Sequence, residues 1–261
     1  MQKKREKYES GAMLLGKGTF FWSLLSLSIL SLFVGHFPQA RGDESFPVEK
    51  VFESIALPEV SALGLTFEIE HDADNPEYFG GCSLNRPHYS ITIGADLVKK
   101  PGFTQDAYAS ILCHELGHLL GGAPRKDSSE NSWSSTEGQA DYYAASVCMK
   151  KMMSATPIVA SDLEKLSRAD RDLAHALCAG KYPDAPSRDI CVRTIDAGVV
   201  LLRDIYEWIK YPGLPQPSLD QHAKPLAPGE KINYPSLQCR LDTIVAGALG
   251  KPRPACWFSG L

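Results

Sequence analysis

Five consecutive residues constrain this chain more than any others: His114-Glu115-Leu116-Gly117-His118, set in an apolar run with Ile111, Leu112, Leu116, Leu119 and Leu120. The spacing predicts a helix over residues 105–120, stopped by Gly121-Gly122. Residues four apart share one helical face, with Cβ atoms about 6 Å apart, so both imidazoles can reach a single ion. Two histidines and a carboxylate in so apolar a helix need partners to be buried. A metal ion is one such partner. Glu115, next to the first ligand, then stands where it can take a proton from metal-activated water. The alternative is a histidine pair satisfied by hydrogen bonds in the core.

A catalytic zinc takes three protein ligands and keeps one position open. A third histidine on an extended helix motif is excluded, because Pro124 stands where it would be. A following helix, residues 136–152, offers Glu137, with Asp141 one turn further on the same face. Asp141 suits the outer N–H of a ligand histidine, fixing its tautomer. Two rivals stay open. Ser134 and Glu137 have capping-box spacing, so Glu137 could cap while Asp141 ligates. Glu130 lies nearer the motif but has no helix to aim it. His71, His88, His175 and His222 lie off the motif and read as ordinary surface or core histidines.

The rest of the chain predicts an α+β fold, mostly helical, with a small sheet beside the motif helix. Strand patterns occur at residues 65–70 and 89–93, and further helices at 161–179, 188–209 and 237–249. Residues 211–235 are proline-rich and read as an extended loop that could cover the cleft. The first 42 residues read as a signal peptide or uncleaved anchor. Lys3, Lys4, Arg5, Lys7 and Lys17 precede a 15-residue apolar run at 20–34, shorter than the roughly 20 residues a membrane span needs. The folded domain is then 43–261, in the periplasm or outside the cell, touching membrane only if residues 20–34 are retained. Seven cysteines agree with an oxidising compartment. Short loops favour Cys178–Cys191 and Cys239–Cys256, and Cys113, inside the apolar helix, is the expected free thiol. A net charge of −4 gives no basic footprint for nucleic acid.

His114-Glu115-x-x-His118 followed by Glu137-x-x-Ala140-Asp141 resembles the gluzincin zinc metallopeptidases, most closely the CAAX prenyl protease-type group and its soluble periplasmic relatives. The likeness spans roughly residues 90–148. It implies a zincin-like domain binding one Zn2+ through His114, His118 and Glu137, with Glu115 as base and Asp141 supporting His114. It implies an exported endopeptidase acting on protein or peptide substrates. An exopeptidase, or a metal-stabilised binding or chaperone-like envelope module, is the alternative. The family's substrate-binding strand falls on Ser90, Ile91, Thr92 and Ile93. Its threonine-histidine-proline segment falls on Asn233-Tyr234-Pro235, with Arg240 following. There Tyr234 replaces the histidine and is either an oxyanion stabiliser or a packed tyrosine.

Overall fold

Three strands, Thr66–Asp72 (β1), Gly81–Asn85 (β2) and His88–Gly94 (β3), form one sheet in the order β1-β3-β2. They come from a computed structural model that describes residues 47–129, 131–156, 166–209 and 213–259. β3 runs parallel to β1 and antiparallel to β2. Ser90 pairs with Glu68 and Ser83, Ile91 with Ile69 and Cys82, and Thr92 with Glu70 and Gly81. This corrects one sequence expectation. With Ser90, Ile91 and Thr92 paired on both sides and Ile93 paired with His71, β3 is the central strand and has no edge to offer a substrate. Its β-branched pattern marks burial instead, with Tyr89, Ile91 and Ile93 in the core. The edge strands are β1 and β2, the latter a run of Gly, Cys, Ser, Leu and Asn that carries none of the usual strand formers.

Helix Gln105–Leu120 (α2) is the axis of the domain. Thr104 caps it, its hydroxyl accepting from the Ala107 amide at 3.0 Å, and every residue from Ala107 to Leu119 is buried. The first helix, Pro47–Ser61 (α1), packs Phe52, Ala56 and Val60 into the same core as Leu112 and Leu116. Pro58 inside α1 reads in sequence as a helix breaker, which hides the element. The single helix expected over 136–152 is a continuous run of Glu137–Tyr143 (α3), a π turn Ala144–Cys148 and Met149–Ala155 (α4). Next come Arg168–Ala179 (α5), Ala185–Ile209 (α6) and Leu237–Ala248 (α7). The expected start at Ser161, the rival ligand Glu130 and residues 1–42 lie outside the described residues. From 213 to 235 there is no helix or strand, only a bridge between Lys231 and Phe258. The fold is a mostly helical α+β domain, with residues 44–261 forming one unit.

Three disulfides tie the helices: Cys113–Cys148, Cys178–Cys191 and Cys239–Cys256. The free cysteine is Cys82 in β2, not Cys113. Cys113 faces the π turn, 35 residues further along the chain, a pairing set by helix packing rather than by loop length.

Candidate metal centre

α3 crosses α2 so that Glu137 faces both motif histidines. The Glu137 carboxylate reaches His114 Nε2 through Oε2 at 3.1 Å and His118 Nε2 through Oε1 at 3.5 Å. Donor atoms of all three residues lie within 4.8 Å of one another, and all three are buried. The crossing is pinned by the chain that leads into α3. The Ser135 amide donates to the His118 carbonyl at 2.8 Å, and the Thr136 amide to Pro124 at 3.0 Å. The capping alternative for Glu137 does not occur. Thr136 is the cap residue and makes no side-chain cap bond. The Glu137 amide instead donates to the Asn233 carbonyl at 3.2 Å, bringing the 213–235 segment to the site.

The outer nitrogens of both imidazoles are occupied. His118 Nδ1 lies 2.8 Å from the Ser135 carbonyl, and a carbonyl can only accept, so that nitrogen carries the proton. His114 Nδ1 donates to Asp141 Oδ1 at 2.7 Å. With Nδ1 the donor on each ring, Nε2 is the nitrogen that faces Glu137 and that an ion would take. Asp141 is fully engaged in this support and is not a competing ligand. Arg240 on α7 grips it with Nε on Oδ2 at 2.7 Å and Nη2 on Oδ1 at 2.8 Å.

The electrostatics fit a cation. Burial disfavours a charged His114, but Asp141 and Glu137 outweigh it and raise the imidazole to about 10. Burial and the charge of His114 lower His118 to about 3. For Glu137 the histidines and Arg240 overcome burial and hold the carboxylate well below its usual range. With no ion bound, a proton on His114 supplies the positive charge, and metal binding would displace it. The donor set, two imidazoles and one carboxylate in a buried site, could therefore hold a metal ion.

Glu115 points into a cavity of about 450 Å³ shared with His118, Glu137, Cys82, Lys126 and Tyr234. Burial pushes its pKa up and Glu137 adds to the push, against the charge of His114. The Tyr89 hydroxyl donates to the Glu115 carbonyl at 2.5 Å, so β3 braces α2 at this residue. A larger cavity of about 570 Å³, lined by Leu173, Leu219, His222 and Leu241, brings no comparable set of ligand atoms together. Of the off-motif histidines, His71 pairs with Glu49, His88 with Thr66, and His222 with Asp242. His175 is exposed.

Two features of the site escape sequence reasoning, the places of Cys82 and Lys126. Cys82 lies with Glu115 and His118 in a second possible ligand group. Burial and Glu115 push its thiol far up, away from the thiolate that binds metals. Lys126 sets its ammonium 2.9 Å from Glu137 Oε1 and 5.3 Å from the Tyr234 ring centroid. Tyr234 lines the cavity while remaining 72% exposed. The only sequence signal for Lys126 is its place in the irregular stretch between the two helices. No protein-family model, curated protein or solved structure matches this chain.

Proposed function

We propose that this chain is an exported, zinc-dependent endopeptidase of the gluzincin kind. The observation that carries the reading is the convergence of His114, His118 and Glu137 from two helices, with Glu115 on the wall of the adjoining cavity. The two Nε2 atoms and the Glu137 carboxylate would hold the ion. Zinc, when bound, polarises the scissile carbonyl and makes water acidic enough to lose a proton near neutral pH. Glu115 takes a proton from the attacking water as its oxygen bonds to the carbonyl carbon. It delivers that proton to the amide nitrogen as the C–N bond breaks, leaving a carboxylic acid and an amine. Asp141 and the Ser135 carbonyl hold the imidazoles in register during both steps. β2 has one partner strand among the described residues, and Gly81 and Cys82 line the cavity. An extended peptide can add to that edge through main-chain hydrogen bonds. Three disulfides agree with an oxidising compartment and hence with export.

Metal analysis and peptide hydrolysis on the purified chain test this reading. About one zinc per chain is expected. Glu115→Gln keeps the metal and loses hydrolysis by at least about 10²-fold, whereas Glu137→Ala loses both. A zinc-loaded wild type that cleaves neither blocked nor unblocked peptides would instead be a metal-stabilised binding module. Cleavage of unblocked peptides alone would make it an exopeptidase.

A further inference from the structure

We infer that Lys126 is a further catalytic residue, whose ammonium takes up the negative charge that develops on the scissile carbonyl oxygen. This rests on the peptidase reading above and adds a group that the motif does not contain.

The placement carries the argument. Lys126 Nζ lies 2.9 Å from Glu137 Oε1, the oxygen that also faces His118 Nε2, and its side chain is only 16% exposed. The backbone beneath it is held: the Lys126 amide donates to the Ser134 carbonyl at 2.8 Å, and Arg125 bridges to Ser135. The Tyr234 ring flanks the ammonium on the cavity side. A lysine fixed in this way needs little reorganisation when charge appears beside it.

The other polar groups of the cavity serve this role less well. Arg240 is anchored on Asp141 by two hydrogen bonds, which fix its guanidinium beside His114. Tyr234 is a neutral donor on a largely exposed side chain. Lys126 has three N–H donors, and Glu137 occupies one of them. Glu115, Glu137 and Asp141 against Lys126 and Arg240 leave the centre at −1. A divalent cation would take it to +1, and it stays there as the oxyanion forms, because the proton lost by the water moves to Glu115 within the same centre.

In the step itself the water oxygen bonds to the carbonyl carbon, and the π pair moves onto the carbonyl oxygen. Lys126 donates an N–H to that oxygen. When the C–N bond breaks, the pair returns to form the C=O and Lys126 is unchanged, its proton retained throughout.

The test compares zinc-loaded wild type with Lys126→Met and Lys126→Arg. The readouts are zinc content, kcat and KM on a blocked peptide, and calorimetric affinity for a phosphonamidate peptide, whose anionic tetrahedral group resembles the charged species. Lys126→Met is expected to keep its zinc and its KM. Its kcat should fall about 10²–10³-fold, and its phosphonamidate affinity should weaken comparably. Lys126→Arg should recover part of both losses. Unchanged kcat and phosphonamidate affinity in a hydrolysing background overturn the inference alone. So does a raised KM at constant kcat, which would make Lys126 a substrate anchor. Loss of zinc from Lys126→Met also overturns it, leaving Lys126 as a positioning residue for Glu137. A wild type that hydrolyses nothing overturns the peptidase reading with it.

Discussion

Gly117 and Ala140 meet backbone to backbone where α2 crosses α3. A Cβ at position 117 would stand 2.7 Å from the Ala140 carbonyl oxygen and 2.9 Å from its Cα. The histidine motif is therefore also a point of close helix approach. That approach brings Glu137, three residues before Ala140, against His114 and His118.

Gly117→Ala is thus expected to push α3 away from α2 by a few tenths of an ångström or more. Overpacking of this sort costs about 1–3 kcal/mol, and here it also spreads the ligand set. Thermal unfolding and zinc titration check this together. A lower melting temperature with weaker zinc binding is expected, and an unchanged affinity would mean the crossing does not set the site.

Asp141 is predicted to act through His114. Asp141→Asn keeps the shape but removes the charge that fixes the imidazole and balances Arg240. Zinc affinity should fall about 10–100-fold, measured by competition with a chelator of known affinity. Wild-type affinity in this variant would remove Asp141 from the account.

Asp196 on α6 gives a pH signature far from chemistry. It is buried, and neither carboxylate oxygen accepts a hydrogen bond. Burial, helped by the charge of Asp106, raises its pKa to about 7 from 3.8. The folded state therefore holds a proton that the unfolded state releases above about pH 4. This contribution to stability is complete below that pH and is lost as pH rises through 7. Asp196→Asn should match wild type at pH 4 and exceed it at pH 8 by on the order of 2–4 kcal/mol. Melting curves at the two pH values decide it, and equal curves at pH 8 would contradict it.

The disulfide pattern predicts one reactive thiol per denatured, unreduced chain. Alkylation and peptide mapping should place it at Cys82. Replacing both Cys113 and Cys148 with Ser should cost about 4 kcal/mol by the chain-entropy relation for a loop of this size. Label on Cys113 in the wild type would contradict the pairing.

What the sequence made legible follows the range of each signal. The motif helix, its end at Gly121 and the shared face of Glu137 and Asp141 rest on helical periodicity, which is local; which of the two carboxylates faces the histidines depends on how α3 crosses α2. The two short-loop disulfides followed from spacing. Cys113–Cys148 did not, since it depends on how α2 packs against the π turn. β2 stayed hidden because Gly81, Cys82, Ser83 and Asn85 are poor strand formers that pair only because β3 presents an edge. The more strand-like Ser90–Ile93 therefore draws the substrate-strand expectation that the family resemblance implies. Lys126 lies on an irregular segment with no period to place it, so only three-dimensional packing brings it to Glu137.

X-ray absorption at the zinc edge, on the purified zinc-loaded chain, tests the central claim most directly. The account predicts one zinc whose nearest shell holds only nitrogen and oxygen, at about 2.0–2.1 Å, and no zinc retained in Glu137→Ala. A sulfur shell at about 2.3 Å, which would enrol Cys82, or a wild-type chain that retains no zinc, would contradict it.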